Sequence, residues 1–186
     1  MKLYHTAFLE IKEPDLTHGR KNADFGQGFY LTPDEAFATR WAKAKKDAQT
    51  FVNSYELDTE GLSIKEWTAR NEEWFSYLFG NRRLEPDPFK DYDVIIGPIA
   101  NDTIYDVLGL TTSGFLSKEE SLSLLLVGPC YKQVTIKSEK ARKHLHFLSS
   151  RIMTPEELKE YGDLLKQEQN DYQALFAQAM KKLEDD

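Results

Sequence analysis

The chain has 186 residues and a formal net charge of −7, enough to bury a core and short enough that one domain is the default. Its 40% hydrophobic and 30% charged residues exclude a disordered or collagen-like chain. Its single cysteine, Cys130, excludes an intramolecular disulfide framework and a cysteine-based zinc site.

Lys2 to Phe8 reads as a short strand, and Glu13 to Asp24 as a turn-rich stretch containing Pro14, Gly19 and Asn22. Gly28 to Leu31 reads as a second strand running into a capping box, with Thr32 as N-cap, Pro33 at the first helical position and Glu35 three residues on. The stripe Phe37, Trp41, Ala44, Ala48 follows at helical spacing. Phe51 to Leu57 is a strand, and Ser63 with Glu66 predicts a capped helix with the stripe Ile64, Trp67, Asn71, Trp74 and Leu78, ending at Asn81-Arg82-Arg83.

Tyr92 to Ile96 is an apolar strand, after which Asn101 or Asp102 caps a helix through Val107. Ser117 and Glu120 cap a helix over Leu122 to Leu126. Tyr131 to Ile136 alternates, turning Val134 and Ile136 to the core and Tyr131, Gln133 and Thr135 the other way. A helical turn over Ser138 to Lys143, a last strand over His144 to Leu148 and a long helix opened by Thr154-Pro155-Glu156-Glu157 complete the chain. Strands and helices mix without strict alternation, which favours α+β, with a domain over residues 1–150 and a C-terminal helix over residues 154–186.

The longest apolar run is broken at Ser123 and Gly128 and stays short of the roughly 18 residues of a membrane span. Without a secretory core at Met1 to His5, the expectation is a soluble, cytoplasmic protein with no membrane partner. Nine acidic and four basic residues fall between Thr154 and Asp186, so the body is near neutral. Its longest basic cluster, Lys43-Ala44-Lys45-Lys46, is too small for sequence-independent nucleic-acid binding.

Several chemistries find no residues. There is no phosphate-binding P-loop, Gly26-Gln27-Gly28 lacks the rest of a dinucleotide fingerprint, and no G-x-S-x-G elbow occurs. His5, His18, His144 and His146 form no i, i+4 pair for a metal. Cys130 reads as a small packing residue, and Trp41, Trp67 and Trp74 as core. What stands out is Asp24 to Thr32, where Gly26 and Gly28 permit a sharp turn and close ligand approach. The alternation that sends Phe29 and Leu31 to the core aims Tyr30 at a groove, where its ring can stack on a flat heteroaromatic ligand.

A series of short motifs runs in order through residues 2–150: Leu3-Tyr4-His5, Asp24-Phe25-Gly26 with Gly28-Phe29-Tyr30-Leu31-Thr32, Asn81-Arg82, Tyr92 to Pro98 with Ala100-Asn101-Asp102-Thr103, and Gln133-Val134 before Leu145-His146-Phe147. Jointly they resemble the bacterial domain of unknown function 3990 family, which looks like part of the ADP-ribosyltransferase superfamily of His-Tyr-Glu type. The resemblance implies two small split sheets with flanking helices, enclosing a cleft that binds NAD as substrate. It implies that His5, Tyr30 and Gln133 are catalytic. His5 would hold the adenosine ribose, the backbone at Thr6 the nicotinamide carboxamide, Tyr30 the nicotinamide ring and Gln133 the nicotinamide ribose.

Gly26, Gly28 and Arg82 would add to the cofactor site, Arg82 through pyrophosphate. Thr6 stands where the family commonly has glycine, and Gln133 where the superfamily usually has glutamate. Any base must therefore come from elsewhere, with Asp24 and Asp102 as the nearest candidates, or be unnecessary; Asn101 is a further site candidate. The implied function is transfer of ADP-ribose to a protein or nucleic-acid acceptor, in the manner of an intracellular toxin or regulator. The alternatives are a non-catalytic nucleotide-binding module, or an interaction module working through the C-terminal helix. That helix carries Tyr161, Leu165, Tyr172, Leu175, Phe176 and Ala179 in a stripe interrupted by Glu168. Its first half is expected to pack on its own domain, and its second half either to do the same or to reach a second copy of the chain or a small neutralising protein, with truncation after Glu168 leaving the chain folded.

Overall fold

The computed structural model describes residues 1–40, 42, 47–100, 107, 111 and 113–185. Trp41, the Lys43 to Lys46 cluster, Asn101 and Asp102 lie outside the described residues. The described elements are β1 (Lys2–Ala7), β2 (Phe29–Leu31), α1 (Glu35–Arg40), β3 (Phe51–Leu57), β4 (Ile64–Glu66), α2 (Glu72–Arg82), β5 (Val94–Pro98), α3 (Lys118–Leu125), β6 (Lys132–Ile136), α4 (Glu139–Lys143), β7 (Leu145–Ile152) and α5 (Pro155–Asp185). The fold is a mixed α+β one with two open sheets.

One sheet has the order β1-β3-β7 and the other β2-β6-β5-β4, antiparallel except for the β4/β5 pair. Among the described residues, one backbone bridge joins them. Tyr4 N–H donates to the Thr32 carbonyl at 2.8 Å, and Thr32 N–H to the Tyr4 carbonyl at 3.0 Å. Leu3, Phe29, Leu31, Tyr55, Val94, Val134 and Ile136 pack into one core. Ile95 points the other way on β5, into a second core with Phe25, Trp67, Trp74 and Leu78. The apolar run Val94-Ile95-Ile96 is thus explained by burial of both faces of β5.

Two expected caps form, and Ser138 adds a third. Ser117 and Glu120 bond reciprocally at the start of α3, Thr154 and Glu157 do so at the start of α5, and Ser138 accepts from Ala141 N–H in α4, each worth about 1 kcal/mol. Two others do not form as expected. Thr32 gives its backbone N–H and carbonyl to the inter-sheet bridge and its hydroxyl accepts from Asp34 N–H at 3.2 Å, while Asp34 itself caps α1, accepting from Phe37 N–H at 3.1 Å. The helix expected from Ser63 begins only after Asn71, whose side chain accepts from Trp74 N–H.

Residues Ile64–Glu66 instead form β4, because Ser63 spends its hydroxyl and N–H on the Asp93 carboxylate and so starts a strand beside β5. Asp93 also accepts from Ser138 and Lys140. Burial pushes its carboxyl upward, but the hydrogen bonds from Ser138, Ser63 and Lys140 outweigh it and hold the pKa at about 2.

Helix α5 lies on the chain's own body. Tyr172 is buried, and Phe176, Ala179 and Met180 pack against the second core. Glu168 falls on this inward face, where it pairs with Arg40 and accepts from the Tyr131 hydroxyl at 2.9 Å, so the interruption in the stripe is a polar latch. Leu175 of the stripe is exposed and takes no part in the core contacts. Cys130 is likewise exposed rather than a packing residue. Among the described residues, no helix is long and apolar enough to cross a membrane.

Candidate functional site

The bridge between the sheets fixes where a cleft opens. Because Tyr4 of β1 pairs with Thr32, the next residue of β1, His5, meets β2 at Tyr30, and its Nδ1 lies 2.7 Å from the Tyr30 carbonyl. A carbonyl only accepts, so Nδ1 carries the proton. Burial pushes the imidazole pKa below its usual value, more than the Tyr30 carbonyl raises it. The neutral ring therefore leaves Nε2 as a hydrogen-bond acceptor, and its face rests on Phe29 at a centroid distance of 4.6 Å.

Next to this seam is a cleft of about 340 Å³, within the size range of small-molecule sites. His5 and Thr6 from β1, Tyr30 from β2, Gln133 from β6, Arg82 from the end of α2 and Asp24 from the loop before β2 all line it. These residues lie up to 128 positions apart in sequence, and the two-sheet topology brings them to one place. Thr6 keeps its side chain on the wall by donating to the Ala38 carbonyl at 3.1 Å.

Tyr30 is half-buried, with Phe29 and Leu31 in the core on either side of it. Its hydroxyl donates to the Gly26 carbonyl at 2.6 Å and accepts from Phe25 N–H at 2.9 Å. Burial, with the Asp24 charge nearby, raises its pKa far above the ordinary phenol value, so it stays a neutral ring pinned at its tip. Gly26 and Gly28 stand beside the cleft and are not part of its lining. Gly26 has φ of 72°, the left-handed region. A Cβ on Gly28 would lie 2.6 Å from the Ile136 carbonyl oxygen. The glycines thus serve the turn and the close approach of β2 to β6.

At the floor, Asp24 forms an ion pair with Arg82, both side chains being about nine-tenths buried. Its other oxygen, Oδ2, accepts from Ala100 N–H at 3.2 Å and lies 3.5 Å from Gln133 Nε2. Asn81 secures the same loop by donating to the Asp24 carbonyl. Asp24 is therefore neither a simple turn residue nor a free base. Its charge is spent on Arg82 and two N–H donors.

A family profile described as protein of unknown function DUF3990 matches residues 1–147. The chain belongs to the DUF3990 family. The matched span of this DUF3990 protein contains every residue lining the cleft, whereas α5 lies beyond it. No curated protein matches the chain.

The sequence did not single out Arg20, Phe37 or Ala100 as cleft residues. Arg20 stands in the turn-rich stretch, whose neighbouring Thr17 and Gly19 carbonyls accept from Gln27 Nε2. Phe37 has the helical spacing of a core residue and stacks on Tyr131 at 4.0 Å, which links the cleft wall to the Glu168 latch. Ala100 contributes a backbone N–H, which no side-chain pattern reports. Among the described residues, no group of three or more His, Cys, Asp or Glu gathers to hold a metal ion.

Proposed function

We propose that the cleft binds NAD and that the protein is an ADP-ribosyltransferase-like enzyme, releasing nicotinamide and passing ADP-ribose to a macromolecular acceptor. The observation that carries this reading is that His5, Tyr30 and Gln133 line one cleft at the junction of two small sheets. Each offers a different complement to a dinucleotide. His5 presents an acceptor for a ribose hydroxyl, since the Tyr30 carbonyl has claimed its proton. Tyr30 presents an uncharged ring whose orientation is fixed at the hydroxyl, suited to stacking on nicotinamide. Gln133 presents an amide oxygen to the second ribose.

In the reaction, the glycosidic C–N bond breaks with both electrons leaving on nicotinamide, which departs neutral. Positive charge develops on the ribose carbon until an acceptor oxygen or nitrogen adds there and loses its proton. Catalysis then requires groups that bind the cationic ribose better than the ground state. Arg20 and Arg82 place two guanidinium groups in the lining, in favour of a pyrophosphate.

The competing reading is a site that holds NAD without turnover, favoured by the amide at Gln133, which can neither accept a proton nor carry negative charge. Incubating the purified protein with NAD separates the two. Nicotinamide release supports the enzyme, and calorimetric binding without release supports the holding site.

A further inference from the structure

We propose that Asp24 is a positioning residue that sets the polarity of the Gln133 amide, so that an Asp24–Gln133 pair replaces a single carboxylate in the cleft; this rests on the NAD reading above. A glutamine can present either its oxygen or its NH2 to a ligand, and its neighbours decide which. Here the neighbour is a carboxylate oxygen, Asp24 Oδ2, 3.5 Å from Gln133 Nε2. A carboxylate at that place accepts only, because Arg82 pairs with Oδ1 and Ala100 N–H donates to Oδ2.

Gln133 must therefore turn its NH2 inward, which leaves Oε1 as the acceptor for a ribose hydroxyl. Donating to an anion also polarises the amide and makes that oxygen a better acceptor as positive charge develops. The arrangement equally explains why a glutamine suits position 133. A glutamate there would set two buried carboxylates about one hydrogen-bond length apart, and like charges so placed cannot both ionise.

Substitutions at the pair have distinguishable consequences. In Asp24→Asn the single remaining oxygen faces Arg82, the stronger demand, so the new NH2 faces Gln133 and Ala100 N–H, leaving that N–H unpaired and forcing the Gln133 amide to invert. The cleft then presents a donor where it had an acceptor. In Asp24→Asn combined with Gln133→Glu, the NH2 introduced at position 24 donates to one oxygen of the new carboxylate, and the other is again an acceptor for the ligand. Gln133→Glu alone must hold a shared proton, with Arg82, Arg20 and neutral His5 as the charged and titratable groups around it.

The test measures NAD affinity by calorimetry and nicotinamide release for the wild type, the two single variants and the double variant, with thermal melts to establish folding. The expected result is a kcat loss of roughly ten- to hundred-fold in Asp24→Asn, as for other buried groups that orient a reacting side chain. NAD affinity changes much less, and turnover recovers in the double variant. Gln133→Glu alone is expected to show a titration in its rate profile that the wild type lacks. Asp24→Asn with wild-type turnover, or a double variant no better than Asp24→Asn, overturns the proposal.

The side-chain amide resonances of ¹⁵N-labelled Gln133, assigned by their loss in Gln133→Glu, give a readout independent of NAD. Protection of these protons from exchange, lost in Asp24→Asn, supports the pairing even in a protein that proves not to bind NAD. Its absence refutes the pairing whatever the ligand.

Discussion

Tyr30 shows how one side chain divides its work. Its hydroxyl closes the turn through Phe25 N–H and the Gly26 carbonyl, while the residue both lines the cleft and packs against the second core. Tyr30→Phe keeps the ring and orphans both backbone groups, so a stability loss of about 1–2 kcal/mol with nearly unchanged NAD affinity is expected from thermal melts and calorimetry. Tyr30→Ala removes the ring and should weaken NAD binding by about tenfold or more. Gln133→Ala should reduce affinity less than Tyr30→Ala, because its contribution grows only as charge develops on the ribose.

Asp93 provides a prediction about stability alone. Its carboxyl titrates at about 2 when folded and near 3.9 when unfolded, so the unfolded chain binds the proton more readily. The stabilisation, about 2 kcal/mol, is complete above pH 4 and lost as pH falls through 2. Urea titrations of the wild type and Asp93→Asn should differ at pH 7 and converge between pH 4 and pH 2. A difference that persists at pH 2 assigns the effect to packing instead.

Among helices and strands, what the sequence revealed depended on whether local signals had distant competitors. The capping boxes at Ser117 and Thr154 were legible because both partners lie within one turn. The cap signal at Ser63 misled because its hydroxyl and N–H serve Asp93, thirty residues on. The strand faces of Tyr30 and Gln133 were readable from alternation, since Val134 and Ile136 point to the core. The contact of Gln133 with Asp24 joins residues 109 apart and left no local trace.

In α5, Glu168 looked like a flaw in an apolar stripe until its partners Arg40 and Tyr131 were visible. Since Tyr172, Phe176, Ala179 and Met180 cover the core, truncation after Glu168 should destabilise the fold by about 3 kcal/mol. A truncated protein with an unchanged melting temperature would show that these contacts contribute little.

Taken together, the two sheets, the bridge at Tyr4 and Thr32, and the loop held by Asn81 and Arg82 make a cleft whose candidate residues come from five separate parts of the chain. Membership of the DUF3990 family covers all of them, and the chemistry they offer is that of a neutral acceptor, a pinned ring and an oriented amide. Calorimetric titration of the purified full chain with NAD, followed on the same samples by chromatographic measurement of nicotinamide, tests this most directly. Saturable binding weakened by Tyr30→Ala, with nicotinamide accumulating in the wild type and not in Gln133→Ala, is the predicted result. No heat of binding and no nicotinamide, or release indifferent to both substitutions, would contradict it.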